Sequence, residues 1–130
     1  MTSDELKLRT KKFALRIIKL TENLPDNQCG KIIGNQLIRS ATSVGANYRA
    51  ACRSRSKQEF ISKIKIVEEE SDESLYWLEL ISEIKCFSEK KMSCIIKEAD
   101  ELTAIFTSTA KSAKINYSNQ KSKIKNQKSD

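Results

Sequence analysis

Histidine is absent from this 130-residue chain, proline occurs once and glycine three times. Each shortage excludes something. Without histidine, Ser-His and Cys-His catalytic arrangements and Glu-x-x-His metal sites are impossible. So few glycines and prolines leave too little turn chemistry for a many-stranded fold. Alternating apolar and polar runs are missing too, so the chain reads as all-α. No apolar stretch approaches the roughly 18 residues that a membrane span needs. The opening, MTSDELKLRT, is charged and unlike a signal peptide. A soluble, cytoplasmic protein with no membrane partner is the expectation.

Cysteine is present, but not in a metal-binding pattern. Cys29, Cys52, Cys86 and Cys94 form no C-x-x-C pair, and zinc-ligand spacings are missing. Free, mostly buried thiols are expected. Glu70 and Glu73 make an E-x-x-E, but a carboxylate di-metal site needs further ligands on other helices. Neither a phosphate-cradling G-x-x-x-x-G-K-[ST] nor a dinucleotide-binding G-x-G-x-x-G occurs. The expectation is a protein that is not an enzyme and uses no metal and no cofactor.

The net charge of +7 is unevenly spread. Lys31–Lys65 holds eight basic residues and one acid, a net of +7; Ile66–Glu101 holds four basic and eleven acidic residues, a net of −7. The last 17 residues, Lys114–Asp130, hold five lysines and one aspartate, a net of +4. The body is polarised rather than uniformly basic.

Four seams with alternating steps of three and four run along the chain. They are Leu6, Thr10, Phe13, Ile17, Leu20, Leu24; then Leu37, Ala41, Val44, Tyr48, Ala51; then Phe60, Ile64, Val67, Ser71, Ser74, Leu78, Ile81; and last Met92, Ile95, Ala99, Leu102, Phe106, Thr109, Ala113. Such spacing keeps one stripe of a helix against a neighbour. The breaks between seams are short. Asp26 or Asn27 is suited to cap the second helix, Ser56 to open the third through a Ser56/Glu59 capping box, and Ser88 to cap the fourth. Short loops make neighbours antiparallel, so the reading is an up-down-up-down four-helix bundle over residues 1–113, with helices at about 3–23, 27–53, 57–85 and 89–113. Residues 114–130 have little apolar content to offset ordering entropy and read as a disordered basic tail.

The second helix carries an unusual mixture. With Arg39 at 0° and about 100° per residue, Leu37, Ala41, Val44 and Tyr48 fall on the core side. Arg49, Arg53 and Lys57 fall at about −80°, −40° and 0°, roughly opposite. Arg55 would land on the core side, which ends the helix near Arg53 or Ser54. The small residues among them (Gly34, Ser40, Ala41, Gly45, Ala46, Ala50, Ala51) let neighbouring backbones approach closely. Asn47 sits on the flank, either exposed or buried and bonded across an interface. The third helix has a second apolar group, Ile66, Trp77, Leu80 and Ile84, with Glu70 and Glu73 beside it. Apolar surface on more than one side suggests a subunit interface. The two carboxylates there want cationic partners. Arg39 therefore has two readings, an ion pair at that interface or a polyanion contact. For Arg49, Arg53 and Arg55 the polyanion reading is preferred.

QLIRSATSVGANYRAA and SKQEFISKIKIVEEESDESLYWLEL together resemble a bacterial four-helix-bundle family first noted as proteins encoded in intervening sequences of large-subunit ribosomal RNA genes. It is similar in fold to the accessory variability protein of diversity-generating retroelements. The resemblance spans roughly Leu8 to Lys111. It is carried by Gln36, Arg39, Ala41, Ser43 and Asn47 on the second helix and by Phe60, Ser71, Glu73 and Leu78 on the third. The family's Glu-Gly pair after the asparagine is replaced by Ala50 and Ala51. Its small residues before the third-helix serine are replaced by Glu69 and Glu70. The resemblance implies an antiparallel bundle that assembles into a homopentamer and uses basic surfaces toward nucleic acid.

The functional expectation is a non-enzymatic homo-oligomer that binds RNA or DNA non-specifically. Arg49, Arg53, Arg55, Lys57 and Lys63 are the candidate phosphate contacts. Arg39, Asn47, Glu70, Glu73, Trp77, Leu80 and Ile84 are the candidate interface or structural residues. The competing expectation is a protein-interaction scaffold whose arginines meet acidic subunit or partner surfaces.

Overall fold

The seams become helices because each is preceded by a residue that caps it. The computed structural model describes residues 1–128, as α1 (Ser3–Thr21), α2 (Gln28–Cys52), α3 (Lys57–Ile84) and α4 (Glu89–Lys128). Thr2 Oγ1 accepts a hydrogen bond from Glu5 N at 3.1 Å, and the Glu5 carboxylate accepts one from Thr2 N at 3.3 Å, a complete capping box. Asn27 caps α2 by accepting from Gly30 N at 2.8 Å. Ser56 caps α3 through Glu59 N at 3.1 Å, but the Glu59 carboxylate accepts from Arg55 N at 3.2 Å, so the box expected there closes one residue further out. Ser88 accepts from Lys91 N at 3.2 Å to start α4. The second helix ends at Cys52 with Arg53 as its cap, which keeps Arg55 off the core side.

Short connections make the helices antiparallel neighbours. The α2–α3 and α3–α4 pairs pack most extensively and α1 leans mainly on α2, while α1 and α4 meet only sparingly. The core sits along the seams. Phe13, Ile17, Leu37, Val44, Ile64, Leu78, Ile81, Leu102 and Phe106 are all buried. On α4 the buried stripe steps from Phe106 to Ala110, while Thr109 and Ala113 are half-buried.

Small residues set the helix spacing at two crossings. Ser74 Oγ on α3 lies 2.9 Å from Ser40 Oγ on α2, both side chains fully buried, and each also reaches a carbonyl of its own helix. Only a side chain this short brings two hydroxyls together between helix axes, and their mutual bonding offsets their burial. At Gly45 of α2, an added Cβ would stand 3.3 Å from Thr10 Oγ1 of α1. Thr10 itself is fully buried and donates to the Leu6 or Lys7 carbonyl at 3.0 Å.

Two expectations are corrected. The segment from Lys114 does not break from the fourth helix: α4 continues through Lys128. Ser129 and Asp130 of the expected tail lie outside the described residues. No glycine or proline follows Gly45, so nothing in the composition stops the helix. Extending an existing helix adds one hydrogen bond per residue fixed, without a new nucleus. The cysteines are free, as expected, but none is buried: Cys29 and Cys94 are exposed, Cys52 and Cys86 half-buried. Among the described residues no helix is long and apolar enough to cross a membrane.

Candidate nucleic-acid interface

The charge polarity of the sequence becomes a polarity in space. The α2–α3 turn lies at the end of the bundle where α1 begins, and the first half of α3 packs beside Ala110 and Lys114 of α4. The basic block Lys31–Lys65 thus gathers Arg49, Arg53 and Arg55 at that end. The acidic block Ile66–Glu101 folds around the α3–α4 turn toward the opposite end.

Two adjoining open grooves mark the basic end. One, of about 630 Å³, is lined by Ala46, Arg49, Ala50, Arg53, Arg55, Glu59 and Lys63. The other, of about 610 Å³, runs between α1 and α2 and shares Ala46, Arg49 and Arg53 with the first. To these it adds Lys7 and Lys11 of α1. Small side chains at Gly45, Ala46 and Ala50 make the floor, so the flanking guanidinium groups stand above a concave surface. Among the described residues no carboxylate pairs with Arg49, Arg53, Arg55, Lys57 or Lys63. Lys7 lies 3.8 Å from Asp4.

Four of the five candidate phosphate contacts therefore converge, Arg49, Arg53, Arg55 and Lys63. Lys57 does not join them: it is exposed in the first turn of α3 and lines neither groove. Lys7 and Lys11 were not singled out from the sequence. They have the right spacing, one turn apart and flanking Leu8, but only the α1–α2 crossing shows which side of α1 faces the arginines.

Arg39 belongs to a different place. Its Nη1 lies 3.2 and 3.3 Å from the Glu70 carboxylate oxygens, and its Nη2 donates to Glu73. Both partners are in the same chain, so the ion-pair reading holds for Arg39 within one subunit. The hydrogen bond to Glu70 holds the Arg39 guanidinium above its ordinary pKa. For Glu70 the balance differs: burial, aided by the neighbouring Glu73 carboxylate, raises its carboxyl pKa against the lowering effect of Arg39. Asn47 bonds inside its own helix, its Nδ2 donating to the Ser43 carbonyl at 2.9 Å or to Ser43 Oγ at 2.8 Å.

The second apolar face of α3 is divided. Trp77 and Leu80 are half-buried and lean on the chain's own core, whereas Ile66 is 36% and Ile84 48% exposed. The Trp77 Nε1–H is shielded from solvent and has no acceptor among the described residues. A feature not read from the sequence lies between α1 and α4. There Arg9 bonds Glu98 and Glu101, which raises the arginine's pKa, chiefly through the Glu98 hydrogen bond.

No curated protein matches. Among solved structures, the chain is similar to a protein of unknown function from the S23 ribosomal protein family of Bacteroides thetaiotaomicron VPI-5482. The two share 32% identity and a TM-score of 0.77, over 85% of this chain and 99% of that one. The family model for the 23S rRNA-intervening sequence protein matches residues 5–108, which takes in the first three seams, the fourth as far as Phe106, and the Arg39 cluster. By that match the chain belongs to the 23S rRNA-intervening sequence protein family.

Proposed function

We propose that the protein is a non-enzymatic homo-oligomer, a pentamer by its family resemblance, that binds RNA or DNA through backbone phosphates. The observation that carries the reading is the groove in which the Arg49, Arg53, Arg55 and Lys63 side chains stand together, outnumbering Glu59 four to one, with no ion pair to any of them among the described residues. Arginine forks match phosphate geometry, and a polyanion releases its condensed counterions when a net cationic surface replaces them. No aromatic side chain lines either groove, and base-edge readout has no dedicated motif, so binding is independent of sequence. The exposed Ile66 and Ile84, beside half-buried Trp77, form the face on which copies would meet. The cytoplasm, where ribosomal RNA is found, is the natural compartment for this activity.

The test is the salt dependence of binding. For the wild type, log affinity should fall linearly with log salt at about 0.7–0.9 per phosphate contact. Replacing Arg49, Arg53 and Arg55 by alanine removes three contacts and should reduce the slope by about 2–3. An unchanged slope in a folded triple variant sinks the reading. Clean protein that captures a single polypeptide and no nucleic acid would instead support the scaffold alternative.

A further inference from the structure

The family match ends at residue 108, and among the described residues the last buried side chain of α4 is Ala110. The helix nevertheless continues through Lys128. We propose that this extension is a second phosphate-binding element that lies along the backbone of a nucleic-acid duplex and continues the contact begun in the grooves. The proposal rests on the nucleic-acid reading given above and adds to it a structural element and a form of substrate.

Four observations support it. From Lys111 to Lys128 the chain has six lysines and no acidic residue. At about 100° per residue, Lys111, Lys114 and Lys121 share an arc of about 80° on one side of the helix. Next, the extension starts at the basic end of the bundle. Lys111 and Lys114 line a groove of about 220 Å³ together with Lys65 of α3. The arm therefore leaves from the pole that carries the arginines, not from the acidic one.

The third observation concerns what the arm lacks. Ile115 and Ile124 are 51% and 53% exposed, but they are nine positions apart, about 180° around the helix. Ala113, Tyr117 and Ile124 fall within about 40° of one another, but three apolar residues over about three turns are sparser than the three to four per two turns of a face built to be buried. Charge is what remains. Finally, the aromatic equipment for single strands is missing. No aromatic side chain lines the three basic grooves, and Tyr117 on the arm is covered by Lys121, whose Nζ lies 4.7 Å from the ring centroid. Single-strand binders stack bases on open rings. A straight cationic rod beside a cationic groove instead suits the regular, doubled phosphate rows of a duplex, which present about one charge per 1.7 Å of axis.

Neighbouring lysines on one helix face repel one another. Phosphates would relieve that repulsion, so duplex binding should also raise the helicity of the arm.

The test compares three forms of the full protein by fluorescence anisotropy across a salt series. They are the wild type, a chain ending at Ala113, and Lys111→Gln/Lys114→Gln/Lys121→Gln. The probes are a blunt RNA duplex, a blunt DNA duplex and a single strand of the same sequence. Among the described residues truncation removes no buried side chain, so thermal unfolding should be retained, and the glutamine variant keeps helix propensity. Both altered forms should lose about 2–4 units of salt slope on duplex, with weaker binding to single strand throughout. An unchanged slope in both, while Arg49, Arg53 and Arg55 still matter, overturns the arm and leaves the groove reading intact. If neither arm nor groove substitutions change the slope, both readings fail. Equal affinity for duplex and single strand overturns the choice of duplex. A truncation that abolishes binding to phosphatidylserine vesicles but not to duplex assigns the arm to membranes and also overturns the proposal.

Discussion

Arg9 of α1 clasps Glu98 of α4 through two hydrogen bonds, Nε to Oε2 at 2.9 Å and Nη2 to Oε1 at 2.6 Å. The same Nη2 reaches Glu101 at 2.7 Å. The two helices otherwise meet only sparingly, so this clasp is the main tie across that side of the bundle. The Arg9 and Glu98 side chains are 24% and 18% exposed, which leaves the pair partly screened by solvent. Paired, fork-shaped bonding adds to an ordinary surface pair, and screening subtracts from it. Arg9→Met should therefore lower stability by about 1 kcal/mol in urea unfolding. Glu98→Gln should cost a similar amount, and the double variant should show clear non-additivity.

Glu70 supplies a pH test with a definite sign. Burial raises its folded-state pKa above the unfolded value. In the window between the two, the folded chain holds the extra proton, so stability falls as pH rises through that window. Wild type should therefore lose stability relative to Glu70→Gln on going from about pH 4 to about pH 7. Chemical unfolding of both proteins at the two pH values measures the difference. If wild type gains on the variant instead, the Arg39 pairing outweighs burial.

Gly30 lies in the first turn of α2, where alanine ordinarily favours a helix by about 1 kcal/mol over glycine. Here the gain should reverse. A Cβ at Gly30 would overlap the Pro25 carbonyl oxygen, which is backbone and cannot rotate away. Gly30→Ala should destabilise by about 1–3 kcal/mol, read as a lowered melting temperature with the helical spectrum retained.

The thiols should divide into two classes. Cys29 and Cys94 are exposed, Cys52 and Cys86 half-buried. A chromogenic disulfide reagent should modify the first pair rapidly in the native protein and the second pair slowly, with all four reacting at one rate in denaturant. Peptide mapping after partial labelling assigns the sites.

Assembly is checked by light scattering. The chain mass is 14.8 kDa, and the oligomer proposal expects a multiple of it, five-fold by the family resemblance. Ile66→Lys with Ile84→Lys places charges on two exposed positions without touching the core, so the variant should fold but dissociate. A wild-type mass near that of one chain at micromolar concentration would end the oligomer reading.

Much of the bundle was legible because burial repeats with the helical period. Nearly every seam residue lies in or against the core, and short caps locate the helix starts. What escaped is what depends on neighbours. Arg9 pairs with residues some ninety positions away, so only the placement of α1 beside α4 reveals its role. Lys7 and Lys11 look like ordinary surface lysines until α2 is laid alongside. Arg39 has two candidate fates on a helical wheel, and only the packing of α2 on α3 brings Glu70 and Glu73 within reach of it. The length of the fourth helix is not legible in composition, because a lysine-rich, apolar-poor segment has little burial of its own and is helical as the continuation of a helix already nucleated in the bundle. The arginines of the basic end were found because α2 ends where the wheel required. Lys57 stands apart from both grooves, since the α2–α3 turn interrupts the wheel before reaching it.

Separation of the two charge blocks along the bundle axis gives each chain a permanent electric moment. In the field of a polyanion such a molecule rotates before it collides, presenting its positive pole and turning its negative pole away. Encounters would be productive more often than random tumbling allows. The association rate, as distinct from the equilibrium, should then be sensitive to charge swaps at the far acidic end, where no contact is ever made.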